Sequence, residues 1–239
     1  QNAIVYALDK KLSKTIRKYD SSKIIPLKCD ITNYKQVQTI FKKIFRKEKK
    51  IDVLINNAGI SLASQKKDEL YSNNDWIETL NVNLTGSFYC SKESVKYMLK
   101  NKMGSIINIT SINAELGFPR NPAYNASKGG LKMLTKAFAK DWSKHGIRVN
   151  SIGPGYIKTN MTSKRFTNKK FKFDLSLISP KIGMIAVLRP FEVFSAWHSL
   201  STLNKLNSES SKRIIALGSL SKSWRAISEP IDPPAPETN

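Results

Sequence analysis

Short apolar runs alternate with helix-periodic stretches through residues 1–162. An apolar run over residues 3–8 ends at Asp9, a polar helical stretch continues through Tyr19, and a second run over 24–27 closes at Cys29-Asp30. That pattern predicts strand, helix, strand. Asn33 then stands where a cap belongs, before a helix whose Val37, Ile40, Phe41, Ile44 and Phe45 keep the three-and-four spacing of one buried stripe. Residues 53–55 read as the next strand. A long helix is expected over about 75–100, a strand over 105–109, a helix over 122–145 and a strand over 148–152. Strands this short and apolar, separated by helices, pair in parallel and are covered on both faces. The expected fold is therefore an open α/β, Rossmann-type, doubly wound parallel sheet.

After Thr162 the periodicity decays. Residues 163–172 are basic and polar, 173–188 are apolar without a clear period, and 190–200 suit a helix. Within this divergent segment, 163–228, only residues 214–217 suggest a strand, which would serve as a substitute at the sheet edge. The tail 229–239 carries four prolines among acidic residues and is expected to be disordered.

Composition narrows the functional classes. With 239 residues at 40% hydrophobic content the chain supports one sizeable core, and no apolar run approaches the ~20 residues needed to cross a bilayer. Two cysteines, Cys29 and Cys90, and two histidines exclude a disulfide framework and a zinc site, which fits a reducing, cytoplasmic setting. The net charge of +22 invites a polyanion reading. Its lysines are spread over helices and loops without an aromatic-interleaved stripe, so no specific nucleic-acid role is expected.

Candidate chemistry centres on Tyr124 and Lys128, four apart in Ala-Tyr-Asn-Ala-Ser-Lys-Gly-Gly. On a helix this spacing stacks phenol and ammonium on one face. A nearby ammonium favours the phenolate and draws a group of intrinsic pKa about 10 toward neutrality, where it can exchange a proton with an alcohol or carbonyl. Ser111 lies shortly upstream at the end of an apolar run. Further polar or small residues fall at predicted strand ends: Asp9, Asp30, Asn56 and Pro154-Gly155. In a doubly wound sheet those ends face the ligand.

The ordered set Asn56-Asn57-Ala58-Gly59, Asn83 in Asn-Val-Asn-Leu-Thr-Gly, Ser111, Tyr124-x-x-x-Lys128 and Pro154-Gly155-Tyr156-Ile157-Lys158-Thr159 resembles the short-chain dehydrogenase/reductase family over residues 3–162. The resemblance implies an NAD(P)-dependent oxidoreductase that moves hydride between nicotinamide and a secondary alcohol or ketone. Tyr124 would handle the proton, Lys128 would tune it and hold the nicotinamide ribose, Ser111 would orient the substrate oxygen, and Asn83 would sit at a distortion of the long helix. Cofactor contacts would come from Asp9, Asp30, Ile31, Asn56, Ala58, Gly59, Pro154, Gly155, Ile157 and Thr159, beside Tyr124 and Lys128. Asp9 favours NAD over NADP, with Lys10 and Lys11 acting against that preference. The family also implies a homodimer or homotetramer, for which Leu131, Leu134, Phe138 and Trp142 offer apolar surface, core packing being the other reading of the same stripe.

The family's first strand, glycine-rich turn and first helix have no counterpart before Asp9. Their loss leaves a rival expectation, a catalytically inactive fragment that keeps only self-association surfaces. A polyanion binder is the third option. The substrate stays open among a sugar acid, a polyol, a steroid-like ring and an acyl carrier thioester.

Overall fold

The computed structural model describes residues 3–12, 23–62, 71–155 and 213–217. Its strands are β1 (Ile4–Asp9), β2 (Ile24–Lys28), β3 (Val53–Asn56), β4 (Gly104–Ile109), β5 (Ile147–Ile152) and β6 (Arg213–Leu217). They form one six-stranded sheet in the order β2-β1-β6-β3-β4-β5. Every pairing is parallel. Helices account for that choice, because parallel neighbours need a crossover and both sheet faces must be covered.

Helix α1 (Tyr34–Glu48) starts where Asn33 accepts a hydrogen bond from Gln36 N at 3.2 Å. Its Val37, Phe41 and Ile44 are buried as the stripe requires, while Phe45 stacks on Tyr97 with centroids 4.3 Å apart. Lys49, in the left-handed region at φ 59°, ends the helix.

The expected long helix runs from Asn73 to Asn101 as α2 (Asn73–Leu80), a π turn (Asn81–Gly86) and α3 (Ser87–Asn101). A π turn inserts a residue into the helical ladder and redirects the side chains on it. Ile31 packs here against Gly86, where an added Cβ would lie 2.6 Å from Ile31 Cδ1. Helix α4 (Pro122–Trp142) opens with proline in its first turn, where the missing N–H is harmless, and ends in a 3-10 turn, Ser143–His145.

One expectation needs correction. Strand β6 lies at the centre of the sheet and not at its edge: Ile4–Leu8 of β1 pair with Arg213–Leu217 on one side, and Val53–Asn56 of β3 pair with Ile214–Leu217 on the other. Unpaired N–H and C=O groups along β1 and β3 make that slot the most favourable place for a short strand. Of the two readings of the α4 stripe, core packing accounts for most of its residues. Leu131 is 1% exposed and Phe138 8%, while Leu134 and Trp142 are partly buried against the same cluster. Phe138 stacks on Trp142 at 4.1 Å, so the three-and-four stripe of α4 faces the sheet.

The polar helix expected before Tyr19, the segments 163–172, 173–188 and 190–200, and the tail 229–239 lie outside the described residues. No described helix is long and apolar enough to cross a membrane.

Candidate active site

The π turn and α4 meet below the loop that follows β3. Asn83 is fully buried, its Oδ1 accepts from Ile60 N at 2.8 Å, and its Nδ2 donates to Ile60 O at 2.9 Å and to Ser127 Oγ at 3.0 Å. One amide thus pins the β3 loop to the helix that carries the Tyr/Lys pair. A Cβ built on Gly59 would stand 3.4 Å from Asn83 Oδ1 and 3.5 Å from Lys128 Nζ. Both are ordinary contact distances, so the Gly59 backbone lies directly against these two groups.

Lys128 is 4% exposed and donates from Nζ to the carbonyl of Ile109 at 2.7 Å. Ile109 ends β4, so the ammonium is tied to the strand's carboxyl end, two residues before Ser111. Burial disfavours the charged amine and lowers its pKa from 10.5 to about 8. At neutral pH the side chain is still mainly an ammonium. It stands 5.7 Å from the centroid of the Tyr124 ring, on the helix face predicted from their spacing.

Ser111 caps a 3-10 turn, Ile112–Ala114, with its Oγ accepting from Asn113 N at 3.2 Å. The following segment is strapped beside it. Thr110 N donates to Ile152 O at 2.8 Å and Ile112 N donates to Pro154 O at 3.1 Å, which brings Pro154-Gly155 alongside Ser111. Ile157 and Thr159 fall outside the described residues.

On the other side of the sheet centre, Asp9 ends β1 and accepts from Lys11 N at 2.9 Å. Asp30 follows β2 and accepts from Thr32 N at 3.0 Å, from Thr32 Oγ1 at 2.7 Å and from Lys10 at 3.0 Å. Burial pushes its pKa up, but the Thr32 hydrogen bonds and the Lys10 ammonium outweigh it and hold the carboxyl below the usual range. Lys10, which argued against NAD from its place in the sequence, is therefore engaged with Asp30. Ile31 is 7% exposed and turned onto Gly86, and half-buried Ala58 packs on the core.

Asn56 is placed differently from its neighbours. Its side chain turns inward, 1% exposed, and donates to Ser91 Oγ at 2.9 Å and to Asn108 Oδ1 at 2.7 Å. Asn108 in turn donates to Thr135 Oγ1 at 2.8 Å. This buried chain links α3 to α4 across β3 and β4, leaving only the Asn56 backbone at the strand end. Sequence reasoning missed Asn108, Ser91 and Ser127. The signal was a polar residue inside an apolar strand run, which a buried network explains and a solvated face does not.

The family model for the short chain dehydrogenases matches residues 2–170. The chain belongs to the short-chain dehydrogenase family. It is 39% identical over 145 residues to a 3-oxoacyl-acyl-carrier-protein reductase of Thermotoga maritima, a match spanning 59% of this chain and 57% of the relative. Among solved structures it is similar to a gluconate 5-dehydrogenase from Burkholderia cenocepacia in complex with NADP and tartrate, at TM-score 0.64 and 28% identity, covering 70% of this chain and 66% of that one. It is also similar to a 4-hydroxyisoleucine dehydrogenase complexed with NADH, at TM-score 0.71 and 27% identity, covering 89% and 87%. Short-chain dehydrogenases are oxidoreductases, and both of these structural neighbours bind a nicotinamide cofactor.

The residues present suit such a cofactor at its two ends. At one end Gly59 lies against the Asn83 amide and the Lys128 ammonium, and at the other carboxylates stand at the ends of β1 and β2. The strand order runs outward in opposite directions from β1 and from β3, on either side of the slot that β6 fills, and doubly wound sheets take their ligands at such a reversal.

Proposed function

We propose that the chain is an NAD(P)-dependent oxidoreductase acting between a secondary alcohol and its ketone, with Tyr124 as the general acid and base. The observation that carries this reading is the buried Lys128 ammonium, anchored on Ile109 O and held near the Tyr124 ring. A cation that costs this much to bury persists where it serves a neighbouring charge. Lys128 favours the Tyr124 phenolate, Tyr124 gives its proton to the substrate oxygen in reduction and takes it back in oxidation, and the Ser111 hydroxyl steadies charge developing on that oxygen. The nicotinamide, when bound, supplies or accepts the hydride. Asn83 keeps the Gly59 loop and Ser127 in register beside Lys128. The Asp9 carboxylate would accept from adenosine ribose hydroxyls, so NAD is the preferred form and NADP the second choice. The half-buried Phe118 suits a partly apolar substrate mouth.

Titrating the chain with NADH by fluorescence and then assaying a panel of ketones tests the reading. Binding and turnover are expected, with turnover lost in Tyr124→Phe and binding retained. Turnover that survives this substitution would remove Tyr124 from the mechanism. No NADH binding at all would favour the inactive-fragment alternative.

A further inference from the structure

Beside Ser111 runs a directional relay of side-chain amides that the family motif does not contain. Ser111 Oγ–H donates to Asn113 Oδ1 at 3.2 Å, Asn113 Nδ2 donates to Asn125 Oδ1 at 2.7 Å, and Asn125 Nδ2 donates to the Phe118 carbonyl at 2.7 Å. The last partner decides every direction. A backbone carbonyl can only accept, so the Asn125 NH2 must face it; the Asn125 oxygen then faces Asn113 and demands its NH2. That leaves the Asn113 oxygen toward Ser111. Meanwhile the Asn113 backbone N–H, at 3.2 Å, occupies a lone pair on Ser111 Oγ. Ser111 is thereby polarised as a hydrogen-bond donor.

We propose that Asn113 and Asn125 are positioning residues that set the polarity of Ser111, keeping its hydroxyl proton poised for the substrate oxygen. Asn113 is 8% exposed, so water does not compete for its amide. Its bond to the Ser111 hydroxyl is long, which makes that acceptor easy to exchange for a substrate oxygen bearing developing charge. Asn125 directly follows Tyr124, so the same relay sets the distance between the donor at Ser111 and the proton carrier on α4. The inference rests on the substrate role assigned to Ser111 above.

Asn113→Asp tests it, because an ionised carboxylate cannot donate to Asn125 and holds the Ser111 proton against the substrate. The kcat ratio of variant to wild type is measured against pH, which cancels titration of Tyr124, Lys128 and the neighbouring Glu115–Lys132 ion pair. The ratio is expected to be down at least about tenfold at neutral pH and to recover as the introduced carboxyl is protonated, a loss comparable in kind to weakening one oxyanion donor. Asn113→Leu should lower kcat without that pH dependence. A flat ratio for Asn113→Asp, or unchanged kcat, would overturn the relay. If Asn113→Asp does not fold, Asn125→Leu carries the test, with kcat reduced several-fold and substrate KM unchanged supporting the relay and unchanged kcat overturning it. Ser111→Ala separates the two layers: activity surviving this change defeats the substrate role of Ser111, whereas a dead Ser111→Ala beside a fully active Asn113→Leu defeats only the relay. In the absence of turnover the relay is read by NMR. Ser111→Ala should then shift the side-chain amide signals of both Asn113 and Asn125, and unmoved signals would overturn it.

Discussion

The Lys128 ammonium stands 5.7 Å from the Tyr124 ring centroid while donating to the Ile109 carbonyl at 2.7 Å, so one buried cation lies near a phenol and is tied to a strand end. Under the proposed mechanism, function and stability pull in opposite directions at this side chain.

Lys128→Met should make that conflict measurable. The folded pKa of about 8 lies below the unfolded value of 10.5, so between those pH values the unfolded chain binds a proton that the folded chain does not. Stability from this group therefore rises with pH across that window, and the full penalty of about 3 kcal/mol applies below it. Replacing the amine removes the penalty but leaves Ile109 O without its donor, at a cost of about 1 kcal/mol. Urea unfolding at pH 7 should show a net gain of about 2 kcal/mol, turnover should vanish, and the difference between variant and wild type should shrink as pH rises from 8 toward 10.5. A variant less stable than wild type at pH 7 would contradict the burial argument.

Asn83→Ala removes three hydrogen bonds at a fully buried position and takes their side-chain partner from both Ile60 N and Ile60 O, while Ser127 Oγ keeps its bond to the Tyr124 carbonyl. Destabilisation of about 2–4 kcal/mol is expected. Hydrogen exchange should localise the effect to the loop after β3 and the start of α4. A loss confined to the π turn itself would show that Asn83 does not join those elements.

Ile215→Pro addresses the sheet centre. Ile215 pairs with Tyr6 on one side and Leu54 on the other, and proline removes an N–H from that ladder. Amides of β1 and β3 should lose protection together, and NADH affinity should fall with them. Protected amides in this variant would mean that β6 does not hold the two halves of the sheet.

Much of the frame was legible because apolar periodicity reports which residues face the sheet. Val37, Phe41 and Ile44 are buried as their spacing requires, and the Tyr124–Lys128 stacking follows from helical geometry alone. Other features depend on neighbours that no local pattern names. Residues 214–217 read as a strand, but whether a strand lies at an edge or a centre is decided by which distant backbones are unpaired. Leu131 and Phe138 share a stripe that suits either a partner helix or this chain's own sheet, and only their burial, with Phe138 stacked on Phe88, places them in the core. Asn113 and Asn125 appear as isolated polar residues until the 3-10 turn at Ser111 brings their amides together.

The placement of β6 also sets an order of events during synthesis. Ile4 must wait for Arg213, almost the whole length of the chain, before its strand gains its inner neighbour. Pairings between such distant residues form late, because the intervening loop must close first. A ribosome-bound chain that has emerged only through β5 exposes β1 and β3 as two open edges, each a template for another molecule's strand. Between the release of Ile152 and the arrival of Leu217, the two halves of this sheet lack the strand that joins them.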